Sequence, residues 1–337
     1  MSGKGTRTLV ARTRATGLRT DTGPPPTALP DTGSHFVVLL KPEVMTPAAA
    51  PDMAAEAIRV LGAQEVAVRR AAVVPAGEFA GRGYLLLHYP RLHRVAADGH
   101  RALTSAALRE LRALAEASGA DEVLGAYEAM TRGARLTPRA LDARCRAAGI
   151  HKLGSGSYAS VTELNGRLVT VLNGFLPALV EGYTSGVGAL VGLLECHSRR
   201  EIGALRAEAL GALCPADAAP GSLRAALGAL ARERGIALSQ GRNAVHLSAG
   251  HLEGMFQAWR YFAATDGRGV ESTGFGATLV GRGVPPAALA ELAADHNLAE
   301  DSGETLSPHG ATEGLGRAEA LGRVENWIAG GKGPVTT

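Results

Sequence analysis

The sequence predicts an α+β protein with helices laid over one face of an antiparallel sheet. Two observations carry this. The signals run strand, helix, strand and, after a long interruption, helix, strand, helix, strand. The chain has 337 residues, 46% of them hydrophobic, with mean hydropathy +0.05, enough to bury a core in one large or two ordinary domains.

Taken in order, residues 1–34 read as a disordered basic tail. Lys4, Arg7, Arg12, Arg14 and Arg19 outnumber Asp21 and Asp31 there, which accounts for the whole net charge of +3, and "DTGPPPTALPDTG" offers little to bury. "HFVVLLKPEV" (35–44) is an apolar strand stopped by Lys-Pro. "PDMAAEAIRVLG" (51–62) opens on Pro-Asp, keeps helical spacing and ends on Gly, so it is a helix. "EVAVRRAAVV" (65–74) alternates as a second strand, and residues 85–148 hold three or four helical segments. In "ASVTELNGRLVTVLNGF" (159–175), Asn165-Gly166 accepts the positive φ of a tight turn between two β-branched runs, a hairpin signal. A short helix (177–183), a buried strand (188–196), a helix (198–213), a Pro/Gly loop, a helix (223–234) and an edge strand follow. "AGHLEGMFQAWRYFA" (249–263) is an amphipathic helix with Leu252, Met255, Phe256, Trp259 and Phe262 inward, and two further helices fall near 285–295 and 315–328.

Several classes are excluded or disfavoured. No apolar run reaches the roughly 18 residues of a bilayer span, and no signal segment opens the chain. Cys145, Cys196 and Cys214 are too irregularly spaced for a disulfide framework or a zinc site, so a reducing cytoplasmic location is expected. The basic tail lacks the interleaved aromatics of a nucleic-acid arm. His88, His93, His100, His251, His296 and His309 show no metal-ligand spacing. "GSGSYA" (154–159) fails as a dinucleotide-binding turn, because no strand precedes it and β-like residues follow.

A phosphate-handling site needs fixed cations, main-chain donors at a glycine turn and a nucleophile. "CPADAAPGSLR" (214–224) supplies a proline-restricted loop running into a helix whose first turn carries Arg224. "GRNAVHLS" (241–248) presents Asn243 and His246, and Lys41 ends the first strand.

Together, "LLKPEV", "NGFLP…YTSG", "CPADAAPGSLR" and "GRNAVHLS" resemble the nucleoside diphosphate kinase family, four motifs in family order over roughly 36–75 and 168–263. The resemblance implies a ferredoxin-like sheet formed by 35–82 and 168–263. It leaves 83–167 as a helical insertion with a hairpin and 264–337 as a C-terminal helical extension. It makes His246 the phosphate-accepting nucleophile, with Lys41 and Arg224 neutralising the phosphoryl oxygens and Mg²⁺ bridging the phosphates. Asn243 would bond the ribose, Phe175 would stack on the base and Tyr89 would be the active-site tyrosine, with Ser248 and Gln257 supporting. Where the family has a phosphate-binding threonine this chain has Leu213. The phosphate-binding arginine aligns on Ala207, with Arg206 adjacent, and the histidine-orienting glutamate aligns on Gln257. The loop asparagine is Cys214. The implied substrates are a nucleoside triphosphate and a diphosphate or related small acceptor, in a homo-oligomer without nucleic-acid or membrane partners. The insertion is expected as a helical cap that either reshapes acceptor choice or alters only assembly. The alternative is a nucleotide-binding regulatory protein with reduced or lost kinase activity.

Overall fold

The computed structural model describes residues 3–25, 30, 32–133 and 136–332. Along the chain the strands are β1 (Thr20–Asp21), β2 (Ser34–Leu40), β3 (Ala67–Pro75), β4 (Glu122–Gly125), β5 (His151–Gly154), β6 (Ser157–Leu164), β7 (Arg167–Leu172), β8 (Leu190–Ser198), β9 (Val245–Leu247) and the short pair β10 (Leu298–Ala299) and β11 (Thr305–Leu306). Two units result. The first is Met1–Arg82, Tyr183–Ala290 and Thr312–Ile328; the second is Gly83–Gly182, Glu291–Ala311 and Ala329–Thr337. This corrects the expected core boundary at 168. β7 lies between β4 and β6 in one sheet, so the hairpin stays whole in the second unit and the core resumes only at Tyr183.

The first unit holds a five-stranded sheet in the order β1-β3-β8-β2-β9, antiparallel throughout. Phe36, Val38 and Leu40 of β2, with Ala71 and Val73 of β3 and Leu194 of β8, form one apolar face. Against it pack Met53, Ala57 and Leu61 of the helix Ala50–Ala63 and Leu223, Leu227 and Ala231 of the helix Leu223–Glu233. Both helices repeat apolar residues every three or four positions, which turns one stripe to the sheet.

The other face was expected to be bare of helices, and it is not. Every residue of β2 and β8 is buried. His35, Val37 and Leu39 look to this second face with Arg70 and Glu195, and the helix His251–Ala258 and the chain after it cover it. The Arg70 guanidinium sits 5.4 Å from the Phe262 ring centroid and bonds to Asp266 at 2.7 Å and Asp21 at 2.9 Å. His35 takes the Gly274 N–H at Nδ1 (3.1 Å) and meets Glu195 through Nε2 (3.0 Å). Part of the supposed extension therefore completes the core. Continuous apolar runs such as "FVVLL" are what strands buried on both faces look like.

A second correction concerns the tail. Gly3–Thr16 is a helix that packs on the helix Ala50–Ala63 and on β3, burying Thr6, Leu9, Val10 and Thr13. Their i, i+3, i+4, i+7 spacing is an amphipathic stripe, half of it threonine and so invisible to a hydrophobicity count. Residues 26–29 and 31, in the Pro-rich part of the expected tail, lie outside the described residues.

The second unit carries a four-stranded sheet in the order β4-β7-β6-β5, with β4 and β7 parallel and the rest antiparallel. The Asn165-Gly166 turn forms as expected, at φ 53° and 78°. β5 does precede the "GSG" stretch, contrary to expectation. The glycines nevertheless make a turn into another strand, not into a helix. Within this unit Arg91 reaches from the helix Pro90–Asp98 to Asp295 (3.1 Å) and Asn297 (2.6 Å), while Asp295 also accepts from Ser307 and the His309 N–H. Among the described residues no helix is long and apolar enough to cross a membrane.

Candidate functional site

β9 is the edge strand of the first sheet, and its His246 pairs with Leu39 of β2. The imidazole is 21% exposed, so a ligand can reach it. Its Nε2 lies 3.0 Å from Oε1 of Glu253, in the first turn of the helix His251–Ala258. With the proton on Nε2 donated to the carboxylate, the ring's lone pair resides on Nδ1. Glu253 Oε1 also accepts from the Ala249 N–H at 3.2 Å and from Gln257 Nε2 at 2.8 Å. Ser248 donates to Gln257 Oε1 at 2.6 Å and accepts the Val37 N–H at 3.0 Å. The histidine-orienting role expected at Gln257 thus falls to Glu253, one helical turn earlier, with Gln257 and Ser248 bracing that carboxylate. The i, i+4 relation of the two residues was the available signal.

Burial lowers the His246 pKa below the ordinary 6.5; Glu253 opposes this, while Lys41 and Arg206 reinforce it. The neutral ring is therefore the form present at pH 7. An NMR titration of this ring is expected to give a midpoint below 6.5, and a higher one would mean that Glu253 outweighs burial and both cations.

Lys41 follows β2 directly and is 7% exposed. Its Nζ donates to Asn243 Oδ1 at 2.7 Å, and Asn243 Nδ2 donates to the Gln240 carbonyl. Burial lowers the Lys41 pKa, Glu43 opposes and the neighbouring Arg224 adds to the lowering. Asn243 is thus occupied in holding Lys41, not presented for a ribose as the resemblance implies. Between Asn243 and Val245 the backbone makes a three-residue turn: the Val245 N–H reaches the Asn243 carbonyl at 2.8 Å across Ala244, whose φ is +70°. Such a γ-turn is strained by about 1–3 kcal/mol for a residue with a Cβ. It is held in place because Glu43 accepts the Ala244 N–H at 3.2 Å and the Lys41 N–H reaches the Ala244 carbonyl at 2.8 Å. The turn sets Asn243 and His246 in register beside the end of β2. Glu43 and Ala244 were not singled out in the sequence.

Arg206 stands on the helix that begins at Ile202–Ala204 and widens into a π-type turn at Leu205–Leu210. A widened turn shifts the helical phase by about one residue. Arg206 donates to the Ala249 carbonyl at 3.1 Å, next to the His246 strand, while Ala207 is exposed and points elsewhere. Arg224, in the first turn of Leu223–Glu233 and buried, donates to the Gly211 carbonyl at 2.9 Å. It spans the base of the 211–222 loop, which Ser222 closes as helix cap. Leu213 is 48% exposed and offers no hydrogen bond, and Cys214 is half-buried.

His246, Lys41, Arg206, Arg224, Asn243, Ser248 and Gln257 are therefore gathered in one unit from four segments of chain. Tyr89 and Phe175 belong to the other unit, where Tyr89 meets the His88 ring edge-on at 4.5 Å and Phe175 meets Tyr158 at 5.6 Å. Among the described residues no group of three or more His, Cys, Asp or Glu is placed to hold a metal ion. Comparison of the chain with known protein families, with characterised proteins and with solved structures gives no match.

Proposed function

We propose that the first unit is a nucleoside diphosphate kinase-like phosphotransferase on a ferredoxin-like sheet. In this reading His246 carries a phosphoryl group from a nucleoside triphosphate to a diphosphate or related acceptor. The strand order supports the fold reading: β2, β3, β8 and β9 with two helices against one face make a βαββαβ arrangement, to which β1 adds an edge. One observation carries the functional reading. An accessible imidazole is held through Nε2 by a carboxylate, and Lys41 and Arg206 both act on its charge.

The chemistry follows from that arrangement. The Nδ1 lone pair attacks the terminal phosphorus, an N–P bond forms, and the bridging P–O bond breaks to release the nucleoside diphosphate. The ring gains positive character as it bonds to phosphorus, and Glu253 holds the Nε2 proton and offsets that charge. Lys41, Arg206 and Arg224 face the negative charge of the phosphate oxygens. Mg²⁺ would arrive with the nucleotide and would screen the charge of its phosphates; among the described residues no group of three or more His, Cys, Asp or Glu is placed to hold it. A terminal phosphate oxygen of the acceptor then attacks the phosphohistidine and restores the neutral ring.

Brief incubation with γ-labelled ATP is expected to leave an acid-labile, base-stable label on the protein that a panel of diphosphates discharges. Binding of nucleotide without label would favour the regulatory alternative, for which the exposed Leu213 is the supporting feature. Glu253→Gln keeps the hydrogen bond but loses its charge, so labelling should slow roughly tenfold. The His246 titration midpoint should fall as well. An unchanged midpoint would remove Glu253 from the mechanism.

A further inference from the structure

The segment 312–316 runs beside the His246 strand, and the proposed mechanism gives it no part. The Gly314 N–H donates to the Ala249 carbonyl at 2.9 Å, the same oxygen that receives Arg206. Two glycines admit this approach. A Cβ on Gly250 would lie 2.6 Å from the Thr312 carbonyl oxygen, and one on Gly203 would lie 2.9 Å from that of Gly314. The result is to place the Glu313 carboxylate 2.8 Å from Nη1 of Arg206. Both side chains are about 30% exposed, so the pair is open to exchange with a solute anion. Arg206 also keeps a buried Nε–H that has no hydrogen-bond partner among the described residues. An oriented donor left over on a guanidinium, beside a carboxylate that already neutralises it, is the arrangement of a cation held in reserve.

We infer that Glu313 is a built-in competitor for the phosphoryl group at Arg206, setting how readily a polyphosphate engages the site. This rests on the phosphotransfer reading above. An arriving terminal phosphate displaces Glu313 from the partly exposed Nη1, so the ion pair opposes binding by the free energy needed to break it. The carboxylate belongs to the C-terminal part of the chain, which makes this a specificity element added to the core, distinct from the groups that perform the transfer.

The test uses the full chain, with ATP binding measured by calorimetry and His246 labelling followed by γ-labelled ATP. Glu313→Gln, which keeps the side chain's shape, is expected to bind ATP roughly fivefold tighter and to label faster at subsaturating ATP. Glu313→Asp, whose carboxylate is withdrawn by one methylene, should fall between. Adding Arg206→Gln to Glu313→Gln should erase the gain, and raising ionic strength should shrink it. If the wild-type chain labels but Glu313→Gln and Glu313→Asp bind and label as it does, the competitor role is overturned while phosphotransfer stands. If no variant binds or labels, the phosphotransfer reading fails and takes this inference with it.

Discussion

His246→Ala is expected to take up no label from γ-labelled ATP and yet to bind the nucleotide, if the proposed phosphotransfer holds. A total loss is expected because the proposed intermediate would form on the ring itself, and neither of the two groups nearest it would replace that lone pair. Lys41 is a buried cation tied to Asn243, and Glu253 is a carboxylate committed to three donors. Binding should survive because the cations proposed to attract the phosphates sit on other elements: Lys41 after β2, Arg206 on its own helix, Arg224 on the helix Leu223–Glu233. The alanine protein also leaves the γ-turn intact, since Ala244 is fixed by Glu43 and Lys41. A His246→Ala chain that keeps its label would place the phosphoryl group elsewhere and end the proposal.

Asp295→Ala destabilises the second unit by about 3–5 kcal/mol, the usual cost of removing one partner from a buried ion pair. Arg91 and Asp295 have side chains only 6% and 1% exposed, and water cannot replace the carboxylate at the guanidinium. The substitution also strands the Ser307 hydroxyl and the His309 N–H. Denaturant unfolding followed by a probe in the second unit checks this; a change below 1 kcal/mol would mean that Asn297 and the Ala102 carbonyl suffice for Arg91.

Much of both units was legible because the signals are local. Lys41-Pro42 ends a strand, Pro51-Asp52 opens a helix and Asn165-Gly166 turns a hairpin, each through the conformational limits of those residues. His246, Lys41, Arg206 and Arg224 were likewise singled out from their neighbouring residues, and they fall in one unit. What escaped depends on contacts made at a distance. Glu253 becomes the partner of His246 only once a helix folds back on the edge strand. Arg206 takes its place only through a widened helical turn, and the strain at Ala244 has no sequence signature in an alanine. The second covered face of the sheet was missed because Phe262 and Gly274 are assigned to it by tertiary packing, not by any periodicity. The helix Gly3–Thr16 was missed because threonine was counted as polar where it is buried.

The chain passes between the two units five times, at 82/83, 182/183, 290/291, 311/312 and 328/329. Neither can be excised as a continuous fragment, and neither is finished until almost the last of its residues has been synthesised. A nascent chain halted after residue 263 would own the complete His246 motif but would lack Gly274, whose N–H meets His35 of β2, and Arg317, which holds the Gly274 carbonyl. Assembly of this protein is therefore expected to be slow and post-translational, governed by contacts of high sequence separation.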